Sequence, residues 1–174
     1  EDGKIIKNPL QPLCDINDII PDFSLYDPVR FNRPIGGHIR TTIQFETYRG
    51  CPYSCTFCNS PTTRAMDKNY LRRKRVEQVE KELDYYMKNF DPEFWFITDD
   101  SFLARPKGEI LELCDLLKKY KIPWWCNTRL ENISEEILFS MKESYCDRIQ
   151  FGIESGNEDY RINTLQRPIK DDVY

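Results

Sequence analysis

The sequence contains no long hydrophobic run. Its most intense apolar stretch, Phe94-Trp95-Phe96-Ile97, is far too short to cross a bilayer, which takes about 20 apolar residues. No basic segment followed by an apolar one opens the chain, so nothing reads as a secretory signal. Excess positive charge is also missing: a net charge of −4 gives no global attraction to nucleic acid or to anionic lipid. Histidine is scarce, His38 being the only one, which leaves a zinc site one imidazole candidate at most. An initiator Met is absent, and the sequence stops at Tyr174 while a helix-like stretch is under way, so it is expected to be an excerpt of something longer. Together these absences point to a cytoplasmic protein without a membrane partner.

What is present is enough for a core. Over 174 residues, 40% are apolar and 13% aromatic, which fits one globular domain and argues against disorder. Seven cysteines is an odd number, and three of them fall within eight residues. That crowding suits metal ligation in a reducing compartment better than a secreted disulfide framework.

Residues 1–38 are rich in Pro and Asp, lack sustained periodicity and include Gly36-Gly37, so they read as a linker. A short strand around residues 4–7 is compatible with this. From Ile39 onward the pattern alternates. Runs at 39–45, 94–98, 124–127 and 148–153 predict four strands. Between them, Val76, Val79, Leu83, Tyr86, Met87 and Phe90 recur at helical spacing, as do Ile110, Leu113, Cys114 and Leu117. A third helix is predicted after Ser134, whose hydroxyl suits a cap, with Glu135 and Glu136 at the positive end of the helix dipole.

The order is therefore βαβαβαβ. Strands joined by single helices pair in parallel, either in a doubly wound sheet or in part of a barrel. In both architectures ligand chemistry sits at the carboxyl ends of the strands. Here those ends carry a cysteine loop, Asp99-Asp100-Ser101, Asn127-Thr128-Arg129 and Gly152-Ile153-Glu154-Ser155-Gly156. Any one of these alone would pass for an ordinary polar turn or helix cap. All four together mark a site.

The strongest signal is Cys51-Pro-Tyr-Ser-Cys55-Thr-Phe-Cys58, three thiols in one loop directly after a strand. Cysteine thiolates are the usual protein ligands of iron–sulfur clusters. Three of them on a four-iron cube leave one iron open, and an open position separates a reactive metal site from a closed structural one. A zinc site would need a fourth ligand from His38, Cys14, Cys126 or Cys146, and a non-catalytic zinc-binding interaction module is the alternative reading. Cys114 lies on an apolar helix stripe and reads as core, and Cys126 reads as packing before chemistry.

The C-x3-C-x2-C spacing with Phe57 before the last cysteine resembles the signature of the radical SAM (S-adenosylmethionine) superfamily. The wider string from Glu46 to Cys58 is similar to the branch that often carries an upstream cobalamin-binding domain. The resemblance implies a [4Fe–4S] cluster on Cys51, Cys55 and Cys58, with SAM chelating the open iron through its amino and carboxylate groups. Reductive cleavage of SAM would then give a 5′-deoxyadenosyl radical for methylation, methylthiolation or rearrangement of a substrate, with the cofactor carrying the hard chemistry. It implies a partial TIM-type (β/α) barrel of which about the first four strands are present, residues 39–174 being the N-terminal part of the core domain. Residues 1–38 become a connector from a preceding domain, with cobalamin a cofactor of the full-length parent.

By the same resemblance Phe57, Asp99, Asp100, Arg129, Glu154 and Ser155 are cofactor-binding candidates. The acidic pair would meet the SAM amino group, Arg129 its carboxylate, and Glu154 and Ser155 the ribose. Helix capping or ion pairing is the competing role for the acidic residues and Arg129. A reductant such as flavodoxin or ferredoxin is implied. The run Arg72-Arg73-Lys74-Arg75 reads as a solvated helix start whose charges fan out, so a nucleic-acid partner is not expected.

Overall fold

In a computed structural model of the chain, residue 3 and residues 5–173 are described. The strands are β1 (Asn32–Ile35), β2 (His38–Phe45), β3 (Tyr48–Arg49), β4 (Arg72–Arg73), β5 (Phe94–Ile97), β6 (Trp124–Thr128) and β7 (Cys146–Phe151). The α-helices are α1 (Ser60–Met66), α2 (Val76–Phe90), α3 (Lys107–Tyr120) and α4 (Glu135–Glu143). The main sheet runs β1-β2-β5-β6-β7, parallel from β2 onward, and β3 and β4 form a separate two-stranded ribbon. Each parallel strand is added on the same side as the last. That is the progression of a barrel, and it removes the doubly wound alternative, which needs the chain to reverse and leave a switch point.

Strand alternation decides which face is covered. Ile43, Phe45, Trp95, Ile97, Trp124 and Cys126 turn toward the helices and pack with Val79, Leu83, Ile110, Leu113 and Met141. A fully buried aliphatic side chain of this kind contributes about 1.5–3 kcal/mol. The α4 helix starts as its sequence requires: Ser134 Oγ accepts from the Ile137 N–H at 3.4 Å, with Glu135 and Glu136 in the first turn.

The structure differs from the sequence expectations in three places. Asn32–Ile35, inside the stretch read as linker, is an antiparallel edge strand of the main sheet. Gly36 (φ 59°) and Gly37 (φ 82°) make the two-residue turn that returns it, a conformation open to glycine at little cost. Earlier in that stretch Phe23 stacks on Tyr86 at 5.2 Å, so the segment is fastened to α2. Residues 5–7 form no strand, and Lys4 lies outside the described residues.

The basic run is not a solvated helix start. Arg72 and Arg73 form β4, and α2 begins only at Val76. Lys74 is buried and pairs with Glu82 at 2.5 Å, the two side chains being 3% and 0% exposed. Pairing with a buried carboxylate holds it in place of solvent. Finally, α1 follows Cys58 directly and had no periodic signal, being only 7 residues long.

Candidate active site

The loop of three cysteines connects β3 to α1 and is tied down on each side. Gly50 enters it at φ 95°, where an added Cβ would stand 2.9 Å from the Tyr70 ring, so both conformation and space call for glycine. Arg64 of α1 reaches back and donates to the carbonyls of Cys51 (2.9 Å) and Tyr53 (3.1 Å) and to Ser54 Oγ (2.9 Å). Thr56 is held from the far side of the domain, its N–H on the Leu165 carbonyl at 3.1 Å and its hydroxyl on the Thr164 carbonyl at 2.8 Å.

Cys51, Cys55 and Cys58 line one cavity of about 300 Å³ together with Phe57, Asp100, Arg129, Glu154 and Arg167. Burial pushes the Cys51 thiol above its ordinary value; the Tyr53 backbone N–H opposes that, and the charges of Asp100, Cys55 and Cys58 add to it. Such a thiol gives up its proton to a metal that binds its sulfur. Yet among the described residues no three Cys, His, Asp or Glu side chains converge on a single ion. Thiolates on one tetrahedral zinc stand about 3.8 Å apart. Three cysteines lining one cavity are a donor set that an iron–sulfur cube accepts, one thiolate to each of three irons. Two of the four proposed fourth zinc ligands are also misplaced. His38 opens the eight-residue β2, roughly 23 Å from the end that leads to the loop, and Cys126 is packed in the core.

The remaining sequence-predicted residues divide. Phe57, Asp100, Arg129 and Glu154 line the cavity with the cysteines. Asp99 and Ser155 do not. Asp99 is buried and accepts from Thr47 N–H (2.6 Å), Thr47 Oγ1 (2.5 Å), Tyr48 N–H (2.9 Å) and Arg105 (2.5 Å). Ser155 is spent on a turn, its hydroxyl accepting from Asn157 N–H at 3.1 Å and its carbonyl from Arg161 at 2.7 Å. Desolvation raises the Asp100 carboxyl, with the Ser60 hydroxyl opposing.

Arg167 had no signal in the sequence, since it belongs to a loop beyond the last strand. It is 5% exposed, lines the cavity, donates to the Gly152 carbonyl at 2.7 Å and lies 3.8 Å from Glu154, while its Nε has no hydrogen-bond partner. A second cavity of about 330 Å³ opens where α2 and α3 begin. Three of its four cations are paired within the protein, Arg73 with Glu109, Lys74 with Glu82 and Arg105 with Asp99, and it holds no cysteine.

Residues 45–173 match the Radical SAM superfamily, and the chain belongs to that superfamily. A [4Fe–4S] cluster and SAM are the cofactors this membership brings. The chain is 30% identical over 158 residues to an uncharacterized methyltransferase of Pyrococcus horikoshii, covering 90% of this chain and 33% of that protein. It is 30% identical to the cytidylyl-2-hydroxyethylphosphonate methyltransferase of Streptomyces wedmorensis over 72% of this chain and 23% of that one. The anaerobic magnesium-protoporphyrin IX monomethyl ester cyclase of Rubrivivax gelatinosus is 24% identical over 88% of this chain and 27% of its own. The chain thus spans about a third or less of these curated relatives.

Among solved structures, the radical SAM methyltransferase TsrM of Kitasatospora setae, determined with cobalamin and a [4Fe–4S] cluster, superposes with a TM-score of 0.54 at 16% identity, over 70% of this chain and 24% of that one. This likeness concerns the fold, and it agrees with a partial (β/α) barrel. No helix among the described residues is long and apolar enough to cross a membrane.

Proposed function

We propose that this chain forms the cluster- and SAM-binding part of a cobalamin-dependent radical SAM methyltransferase. One observation carries the site: three cysteines, two carboxylates and a buried arginine with an unpartnered Nε surround one cavity at the carboxyl ends of parallel strands. Cys51, Cys55 and Cys58 hold the cluster, and Phe57 forms part of the wall. When bound, the cluster and SAM supply reductive cleavage of SAM and, with cobalamin, a methyl group for transfer.

The protein's own groups then sort by availability. Asp99 has its oxygens engaged by Thr47, Tyr48 and Arg105, so Asp100, which lines the cavity beside Ser60, is the carboxylate that meets the SAM ammonium, a charge-assisted contact. Arg167, which lines the cavity, offers its guanidinium to the SAM carboxylate, and Glu154 accepts from ribose hydroxyls. Residues 1–38 serve as the connector from a cobalamin-binding domain, with their last strand sealing the sheet edge. A ferredoxin- or flavodoxin-class donor supplies electrons in the cytoplasm, whose reducing conditions suit free thiols.

Methylation is preferred over methylthiolation or rearrangement because the relatives from P. horikoshii and S. wedmorensis are named methyltransferases. The test is anaerobic iron and sulfide analysis of reconstituted protein, with electron paramagnetic resonance before and after SAM. About four irons per chain and a spectrum altered by SAM are expected. Stoichiometric zinc, or a cluster indifferent to SAM, would overturn the reading. In the longer protein, label from the SAM methyl group should appear in product; its absence would remove the methyltransferase assignment and leave the cluster site standing.

A further inference from the structure

Arg129 follows β6 directly and is 5% exposed. Its Nη1 lies 3.1 Å from Cys55 Sγ, and its guanidinium carbon sits 3.8 Å from the centroid of the Tyr53 ring. Tyr53 is itself held, its hydroxyl accepting from Asn132 Nδ2 at 2.5 Å. Nε of Arg129 donates to Glu131 at 2.5 Å. The cysteine loop therefore supplies both the sulfur and the aromatic face that fix this cation, and Glu131 fixes it from behind. Together these contacts hold the guanidinium against Cys55 Sγ.

We infer that Arg129 acts on the cluster through Cys55, as a positioning residue that raises the cluster's reduction potential, and does not bind SAM. This rests on the reading of Cys51, Cys55 and Cys58 as cluster ligands. A guanidinium keeps its charge at every accessible pH. Reduction of the cluster adds one electron, taken from a low-potential ferredoxin- or flavodoxin-class donor, which is oxidised; no bond forms or breaks. The added negative charge spreads onto the ligating sulfurs. A fixed N–H donor and cation at one sulfur stabilises the reduced form more than the oxidised form, in an environment that screens poorly. Asp100 and Glu154, which line the same cavity, act in the opposite sense, and Arg167 adds to Arg129. Glu131 tempers Arg129 directly, so the two residues predict shifts of opposite sign.

The test is a redox titration of the reconstituted full chain, followed by electron paramagnetic resonance, for wild type, Arg129→Gln and Glu131→Gln. Iron content verifies loading in each. Arg129→Gln is expected to lower the ratio of reduced to oxidised cluster at fixed poise by about tenfold or more, equivalent to about 59 mV for one electron. Glu131→Gln is expected to raise that ratio. A packing role alone would not give opposite shifts in two loaded variants. Unchanged midpoints, or shifts of the same sign, overturn the proposal. If Arg129→Gln fails to load, Glu131→Gln decides alone, an upward shift supporting the proposal and an unmoved midpoint overturning it. A wild-type protein that binds no cluster overturns the ligand reading together with the proposal, and is recognised by its iron content.

Discussion

Asp99 and Thr47 are joined twice, by the Thr47 N–H at 2.6 Å and by its hydroxyl at 2.5 Å, across the carboxyl ends of two neighbouring parallel strands. Tyr48 adds its N–H at 2.9 Å, and Arg105 closes the arrangement on the other oxygen. The chain leaves β2 at this point to enter the cysteine loop. A wholly buried carboxylate thus fixes the direction in which that loop departs, and the four donors offset its loss of water.

Asp99→Asn should therefore disturb the cysteines without touching them. The amide retains one acceptor but sets an NH2 group against donors, and it leaves Arg105 buried without its partner. Breaking a buried pair in this way costs about 3–5 kcal/mol. Urea unfolding should show that loss, and reconstituted iron per chain should fall with it. Wild-type stability and full iron loading would mean that the loop is oriented by something else.

The parallel order, the three long helices and the cysteine loop were legible because each has a local signature: strand alternation, helical stripes such as Val79-Leu83-Tyr86, and closely spaced thiols. What was missed depends on distance. Asp99 sits in a motif that announces a site, but only contacts 52 positions away show that its oxygens belong to Thr47. Lys74 looked solvent-facing among three arginines until Glu82 was placed beside it. Arg167 lies in no periodic element, and its place in the cavity depends on the loop after β7 folding back to the Gly152 carbonyl. The Gly36-Gly37 turn was a readable hairpin signal, outweighed by the prolines around it.

The Lys74–Glu82 pair gives a prediction with two parts. Burial raises the Glu82 carboxyl above its ordinary value, and Lys74 works against that rise. Tyr86 also donates to Glu82 at 2.8 Å. Lys74→Met should destabilise the fold by about 3–5 kcal/mol, because it strands a buried carboxylate. The double variant Lys74→Met, Glu82→Leu should recover most of that loss, since no charge is then left unpaired. Urea midpoints of the two proteins measure the difference. A double variant as unstable as the single one would show that the pair is needed for more than neutrality.

Alkaline pH should weaken the fold through groups remote from the cysteine loop. Burial pushes the Cys146 thiol up to about 12 from 9.0 and raises the Tyr86 and Tyr120 hydroxyls as well. For an acid whose folded value lies above its unfolded one, the protonated form is favoured by folding. Its contribution is complete below the unfolded value and is lost as pH rises toward the folded one. For Cys146 that window runs from about pH 9 to about pH 12. Unfolding midpoints measured across it should decline steadily, and Cys146→Ser should flatten part of the decline. A stability profile level through that range would contradict the raised value of this half-buried thiol.

Gly152 and Glu154 provide a test of the cavity that leaves the cysteines alone. Glu154 adopts φ 67°, a left-handed conformation unusual for a side-chain-bearing residue, and its carboxylate folds back over Gly152. An added Cβ at Gly152 would lie 2.0 Å from Glu154 Oε1. The carboxylate is the mobile end of a flexible side chain, so Gly152→Ala should displace it while the strand remains in place. If Glu154 accepts from SAM, affinity should fall about tenfold, the loss of roughly one charge-assisted hydrogen bond. Iron content should stay at the wild-type level, because no contact to Cys51, Cys55 or Cys58 is altered. Equilibrium binding of SAM to the reconstituted protein measures the effect, with Glu154→Gln as the matched control. Wild-type affinity in both variants would remove Glu154 from the SAM site and leave Asp100 and Arg167 as its polar groups.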